Sequence, residues 1–332
     1  MIIRRLSFTI SAAIALAAVF LTPITAFAQS RQLGPWWPSA EWGDKDQAGA
    51  SNRITPQKIL DALSMVKTGK VYELGQIYEQ GMPMYKSRTY TMILPAKSKA
   101  NGDNRIVGNS EFLSTPIGQV GTQFDALGHI GQELEMDNGE AEFVFYNGYT
   151  AKEMDSWNGL RKLGIEHVKP IITRGILIDI ASYKDVERLP NSYEVTVDDV
   201  MGALRRQGLS ESHIKPGDAL LFRYGWSSLW DQPDAYNENP PGIGLEVARW
   251  IAGTKATMIG GDTWGCEVDP NPQPGLRSPV HQELLMKNGI FILENMRLDD
   301  LVENNLSEFL FIVTPIRFKG ATGSPVRPIA IE

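Results

Sequence analysis

Apolar positions along this chain fall into two rhythms. Six short, nearly unbroken apolar runs occupy residues 71–74, 175–180, 218–224, 256–260, 290–293 and 309–313. Runs of that length without polar alternation predict strands, and the more continuous ones predict strands covered on both faces. Between them, apolar residues recur at helical spacing. Thr55 and Pro56 read as an N-cap followed by proline in the first turn, opening a helix that carries Ile59, Leu60, Leu63 and Val66 and stops at Gly69. Thr196 with Asp199 three positions on predicts the start of a helix over 197–206. Further helices are expected over 245–252, 279–287 and 298–304. Residues 142–146 read as a strand or a lid segment, 160–169 as a helix or loop, and 97–104 as an exposed loop. From Ile171 onward strands alternate with helices, which predicts an α/β fold built as one body.

The first 28 residues stand apart from these rhythms. Arg4 and Arg5 precede an apolar, small-residue run over 6–20, Pro23 breaks it, and Ala26-Phe27-Ala28 offers a small-x-small cleavage site. This is the pattern of a secretory signal peptide over 1–28; the other reading is an uncleaved anchor. The arginine pair leaves twin-arginine and ordinary export both open. The expected destination is the bacterial periplasm or beyond, with no membrane association after cleavage. Residues 29–53, with Trp36, Trp37 and Trp42, read as an irregular arm, and 54–332 as the folded domain.

Composition narrows the function. The chain has 332 residues, a net charge of −7 and one cysteine, Cys266. A mildly acidic chain with no basic block is a poor nucleic-acid binder, and one cysteine excludes an intramolecular disulfide or a Cys-rich zinc site. No Gly-x-Ser-x-Gly elbow is present, which argues against a serine hydrolase.

Candidate chemistry gathers in the stretch 118–131. It holds four glycines, Gln119, Gln123, Asp125 and one of only four histidines, His129. Asp125 and His129 are four apart, close enough to converge on a helical turn or a loop bent at Gly128. His167 and His213 lie in polar surroundings and read as surface residues. His281, at the head of an apolar helix, and Glu294, at the end of an apolar run, are the remaining partners. A carboxylate at the end of a buried strand needs compensation. Asp125, His129, His281 and Glu294 together balance one divalent ion, zinc ahead of manganese. The bland alternative is that the two carboxylates cap turns and His281 caps a helix.

The stretch also resembles the signature of the cyclase family of metal-dependent hydrolases, a group that includes bacterial kynurenine formamidase and isatin hydrolase. That signature runs His-x-Gly-Thr-His-x-Asp-x-Pro-x-His, and the same frame here runs from Gln119 to His129. The likeness extends through Trp42-Gly43, Gly81-Met82-Pro83, Arg174-Gly175-Ile176-Leu177, Gly217-Asp218, Arg223, Gly225-Trp226, Pro279-Val280-His281 and Leu293-Glu294-Asn295. It implies a swivelling β/β/α fold, a homodimer or larger assembly, and a metal-activated water that attacks an amide or lactone carbonyl, often in a ring. By the same resemblance, Asp125, His129, His281 and Glu294 match the family's second metal site. Gln119 and Gln123 stand where two histidines would help to hold a first ion, and Leu127 stands in place of the proline. A single-metal site is therefore expected.

Glu294, Glu267 and Gln123 are candidate catalytic residues, with Glu267 read as a proton shuttle or as a solvated loop carboxylate. Phe124, Arg223, Tyr224, Trp264 and Gln119 are candidates for contact with a small-molecule substrate. Two rival readings keep the site but change the chemistry: a periplasmic binding protein that has lost catalysis, and a metal-dependent lyase or dehydratase.

Overall fold

All six apolar runs become strands of one nine-stranded sheet. In chain order its members are β1 (Val71–Glu73), β2 (Gln123–Asp125), β3 (Ile171–Asp179), β4 (Ala219–Arg223), β5 (Met258–Gly261), β6 (Phe291–Glu294), β7 (Glu308–Val313), β8 (Gly323–Pro325) and β9 (Ile329–Ile331). Their spatial order is β1-β9-β7-β3-β4-β5-β6-β2-β8. The computed structural model describes residues 41–136 and 139–332. The signal-peptide segment and arm residues 29–40, including Trp36 and Trp37, lie outside the described residues.

The centre of the sheet is parallel, from β3 through β4 and β5 to β6. Its strands are covered on both faces, as their unbroken apolar pattern predicts. Ile176, Ile178, Leu220, Phe222, Met258, Ile259, Phe291 and Leu293 are all fully or almost fully buried. Burying a side chain of this size stabilises by about 1.5–3 kcal/mol before entropy is counted, so this layer is the rigid floor on which the loops stand. Both flanks are antiparallel: β7 pairs with β3 and β9, while β2 lies between β6 and β8.

Helices α1 (Pro56–Leu63), α2 (Val197–Arg206), α3 (Leu245–Thr254) and α4 (Pro279–His281) start where the sequence signals place them. However, α1 ends at Leu63, short of Val66 and the expected stop at Gly69, because Met65 and Val66 bond back three residues, in turns, to Ala62 and Leu63. Thr55 accepts from the Lys58 N–H and caps α1. Thr196 and Asp199 exchange side-chain-to-backbone bonds at the start of α2. Only Ala62 of α1 is buried, and Leu60 and Leu63 face outward. Lys58 holds this orientation by reaching the buried Asp218. The chain beyond α4 continues as a π-helical stretch, Gln282–Lys287, a departure from α geometry that is common beside functional sites.

Three strands were not visible as apolar runs: β2, β8 and β9. Close backbone approach around β2 needs glycine. At Gly118 (φ +68°) an added Cβ would sit 2.3 Å from the Gly323 carbonyl carbon, so only glycine lets this loop lie against β8. An antiparallel pair, Thr91–Ile93 with Phe112–Ser114, forms an exposed ribbon beside the body, and Gln132–Glu135 pairs with Ala141–Val144.

Candidate metal centre

The site is assembled by strand alternation. Gln123 and Asp125 are two apart on β2 and so point to the same face. Across the strand pair, Gln123 sits opposite Glu294 and Asp125 opposite Ile292. Directly opposed residues of an antiparallel pair share a face, so Asp125, Gln123 and Glu294 converge, while Phe124 turns to the other side and packs on Phe291. His281 enters from α4. Asp125, His281 and Glu294 each offer a ligand atom, and these atoms lie within 4.8 Å of one another. His281 Nε2 is 3.2 Å from Glu294 Oε1 and 3.7 Å from Asp125 Oδ2. His129 Nε2 stands 4.0 Å from Asp125 Oδ1, on the wall of the same site.

Hydrogen bonds fix each side chain. Gln123 donates Nε2–H to Glu294 Oε2. Gln119 donates to Asp125 Oδ1 at 3.0 Å and accepts from Arg88 Nη2 at 3.0 Å. Glu267 faces His281 Nδ1 and accepts from the backbone N–H groups of Val280 (3.2 Å) and His281 (3.4 Å). Its carboxylate therefore sets the imidazole so that Nε2 points at Asp125 and Glu294. Asp125 Oδ2 and Gln123 Oε1 are buried with no hydrogen-bond partner.

Electrostatics concentrate at the same point. Burial pushes the Asp125 carboxyl up to about 6, with Glu294 adding to the rise and His129, His281 and Gln119 opposing it. Burial holds His129 below its usual value, although Asp125 opposes the shift. For His281 burial also disfavours the charge, but the adjoining Glu267 and Glu294 carboxylates outweigh it and hold the imidazole well above 6.5. A buried cluster that keeps a proton between carboxylates is one where a cation is wanted.

Above the cluster lies a cavity of about 390 Å³, lined by Tyr85, Lys86, Arg88, Gln119, His129 and Trp264 among others, with His281 and Glu294 exposed to it. Another cleft, of about 470 Å³, lies between Arg53, Lys58, Arg174 and Lys215. There the buried Asp218 is already paired with Lys58 and Arg174, a structural ion-pair cluster.

Comparison with known proteins places this geometry in a family. The family model described as "Putative cyclase" matches residues 72–268. The chain belongs to the cyclase family. A solved structure of a novel cyclase is 30% identical, with a TM-score of 0.78, over 89% of this chain and 99% of that one. Isatin hydrolase A from Ralstonia solanacearum superposes with a TM-score of 0.59 at 20% identity, over 84% of this chain and 99% of that one, a likeness of fold. Kynurenine formamidase of Bacillus mycoides (strain KBAB4) is 28% identical over 127 residues, 38% of this chain. That match spans 56% of the relative's length. The family match ends at Val268, short of His281 and Glu294, so those two residues rest on the fold.

The cyclase donor set fits a divalent ion. Two carboxylates balance its charge, the His281 imidazole turns Nε2 toward both of them and can ligate once it sheds its proton, and Asp125 Oδ2 is a buried acceptor with no hydrogen-bond partner. Gln119 turns its amide N–H to Asp125 and its oxygen to Arg88, so it bridges the two as a hydrogen-bond link.

The sequence-derived substrate contacts divide. Trp264 and Gln119 line the cavity. Phe124, Arg223 and Tyr224 do not. Phe124 is fully buried on the opposite face of β2. Arg223 is held by Asp179 (3.1 Å) and Asp299 (2.8 Å). Tyr224 is fully buried, and its hydroxyl donates to the Cys266 carbonyl. Cys266 is itself buried, and burial pushes its thiol well above the usual value. Glu267, expected as a shuttle, has its carboxylate turned onto His281. Lys86, Arg88, Tyr85 and Arg277 line the cavity but stood out in no motif; the cluster Tyr85-Lys86-Ser87-Arg88 beside Gly81-Met82-Pro83 was the available signal.

Proposed function

We propose that this protein is an exported, metal-dependent hydrolase of amide or lactone carbonyls. The observation that carries the reading is the convergence of Asp125, His281 and Glu294 beneath a cavity, with an unpartnered carboxylate oxygen and with Glu267 behind the imidazole. Support comes from the names of two relatives, a formamidase and an isatin hydrolase.

A divalent ion at this centre supplies a water acidified toward neutral pH and polarisation of the carbonyl oxygen. Zinc, ahead of manganese, suits the nitrogen and oxygen donors. The protein's own residues do the rest. Asp125, His281 and Glu294 hold the ion, with His129 on the wall as the fourth candidate. Glu267 fixes the imidazole tautomer, as a carboxylate behind a ligating histidine does. Gln123 orients Glu294, and that carboxylate is the group best placed to accept a proton inside the cavity. Trp264 and Tyr85, stacked at 4.2 Å, supply a flat wall for a ring.

The test is metal analysis of the purified protein with a screen of cyclic amides, lactones and formanilides, on wild type and Asp125→Asn. Product mass separates hydrolysis, which adds water, from a dehydratase, which removes it. Absence of turnover after metal addition would favour the binding-protein reading. Export is supported by the Arg4-Arg5 and Ala26-Phe27-Ala28 pattern and is tested by N-terminal sequencing of the periplasmic protein, which should begin at Gln29. A homodimer is supported by the exposed Met92, Ile93, Phe112 and Leu113 of the ribbon; a monomeric sedimentation coefficient would refute it.

A further inference from the structure

We infer that the substrate carries an anionic group, a carboxylate by preference, and that it is anchored by Arg88, which the Gln119 carboxamide and its two 3.0 Å hydrogen bonds hold apart from Asp125. The inference rests on the hydrolase reading and names the substrate class.

Arg88 is half-buried in the cavity wall. It donates Nη2–H to the neutral oxygen of Gln119, and no carboxylate pairs with it among the described residues. A guanidinium carries five N–H donors in a planar fork that matches a carboxylate bidentately. Partial burial of that charge against a single amide oxygen leaves most of its donors to solvent or to a ligand. Gln119 cannot turn away, because its other end donates to Asp125. The chain Arg88–Gln119–Asp125 therefore fixes both the place of the cation and its separation from the metal centre.

The charge balance of the cavity points the same way. Lys86 and Arg277 line it with Arg88. Of the facing carboxylates, Glu267 is committed to His281 and Glu294 to His281 and Gln123. Asp269 alone is left against three cations. The aromatic wall of Tyr85 and Trp264 adds the second element: Arg88 lies 5.4 Å and Lys86 4.4 Å from the Tyr85 ring centre. A flat molecule on that wall brings a carboxylate to Arg88 and presents its carbonyl to Asp125, His281 and Glu294.

The test uses matched substrates: cyclic amides or lactones bearing a carboxylate, each beside its neutral primary carboxamide, turned over by metal-loaded wild type, Arg88→Met and Arg88→Lys. Wild type should prefer the carboxylate. Arg88→Met should lower kcat/KM for the carboxylate at least about tenfold more than for the carboxamide, mainly through KM, as the loss of a charge-assisted pair requires. Arg88→Lys should recover part of the preference. Equal losses for both members, as a purely structural role through Gln119 would produce, overturn the inference, as does an unchanged ratio. If wild type turns over neither member, the hydrolase reading fails, and the anchor is judged by calorimetry with the same pairs. A carboxylate preference that Arg88→Met abolishes then sustains it, and equal affinities refute it.

Discussion

Replacing Glu267 with glutamine isolates the least obvious part of the centre. The carboxylate is buried, faces His281 Nδ1 and accepts two backbone N–H groups, from Val280 and His281. Glutamine keeps the shape and one acceptor oxygen. It removes the negative charge and turns an amide N–H toward either the imidazole or the backbone donors. Loss of the group behind a ligating histidine typically costs about 10–100-fold in metal affinity, which is about 1.4–2.7 kcal/mol. The pH dependence is specific. In wild type the same carboxylate holds His281 above 6.5, so a proton competes with the metal up to that raised value. Glu267→Gln weakens the ligand but also releases the proton at lower pH. The affinity gap should be largest in alkaline solution and narrow as pH falls. The assay is competition against a chromophoric chelator across pH, with circular dichroism to confirm the fold. An affinity equal to wild type at every pH would falsify the assigned role.

Other consequences follow from the same contacts. Asp125→Asn and Glu294→Gln should each abolish metal retention and turnover, measured together by elemental analysis and rate, whereas Gln123→Ala should cost less than either. Metal uptake should release protons and tighten as pH rises, because His281 must shed the proton that its carboxylates hold; calorimetry in buffers of different ionisation enthalpy reads this directly. Asp262 accepts from the backbone N–H groups of Tyr224 and Trp226, both at 2.8 Å. Asp262→Asn places a donor against one of them and should destabilise by about 1–3 kcal/mol in urea. Burial pushes the Asp262 carboxyl up to about 7 from 3.8. The folded state therefore binds its proton more tightly than the unfolded state, and its contribution to stability falls as pH rises through that window; the variant should lack this slope.

The sheet's parallel core was readable because each strand is covered on both faces and so carries an unbroken apolar run. The flank holding Asp125 was not. β2 is three residues long and takes its register from β6, some 170 positions away, and from β8. No local period can announce such a strand, although Gln123 and Asp125 already stood at strand spacing. The candidate metal ligands stood out for another reason: a carboxylate ending an apolar run and a histidine heading an apolar helix are each costly without a partner. Arg223 and Tyr224 misled because a strand end is where α/β sites often lie. Asp179 and Asp299 occupy that arginine, and only the folded chain brings them there. The cavity's cations were hidden because residues 85–88 and 277 sit in irregular segments that no periodicity marks.

The proposed centre stands on His281 as a metal ligand. The most direct measurement is metal stoichiometry of wild type and His281→Ala, taken alongside turnover of the amide and lactone panel. Wild type should hold one equivalent of a divalent ion, and the variant should lose metal and activity together. A variant that keeps its metal and its full activity would contradict the assigned centre.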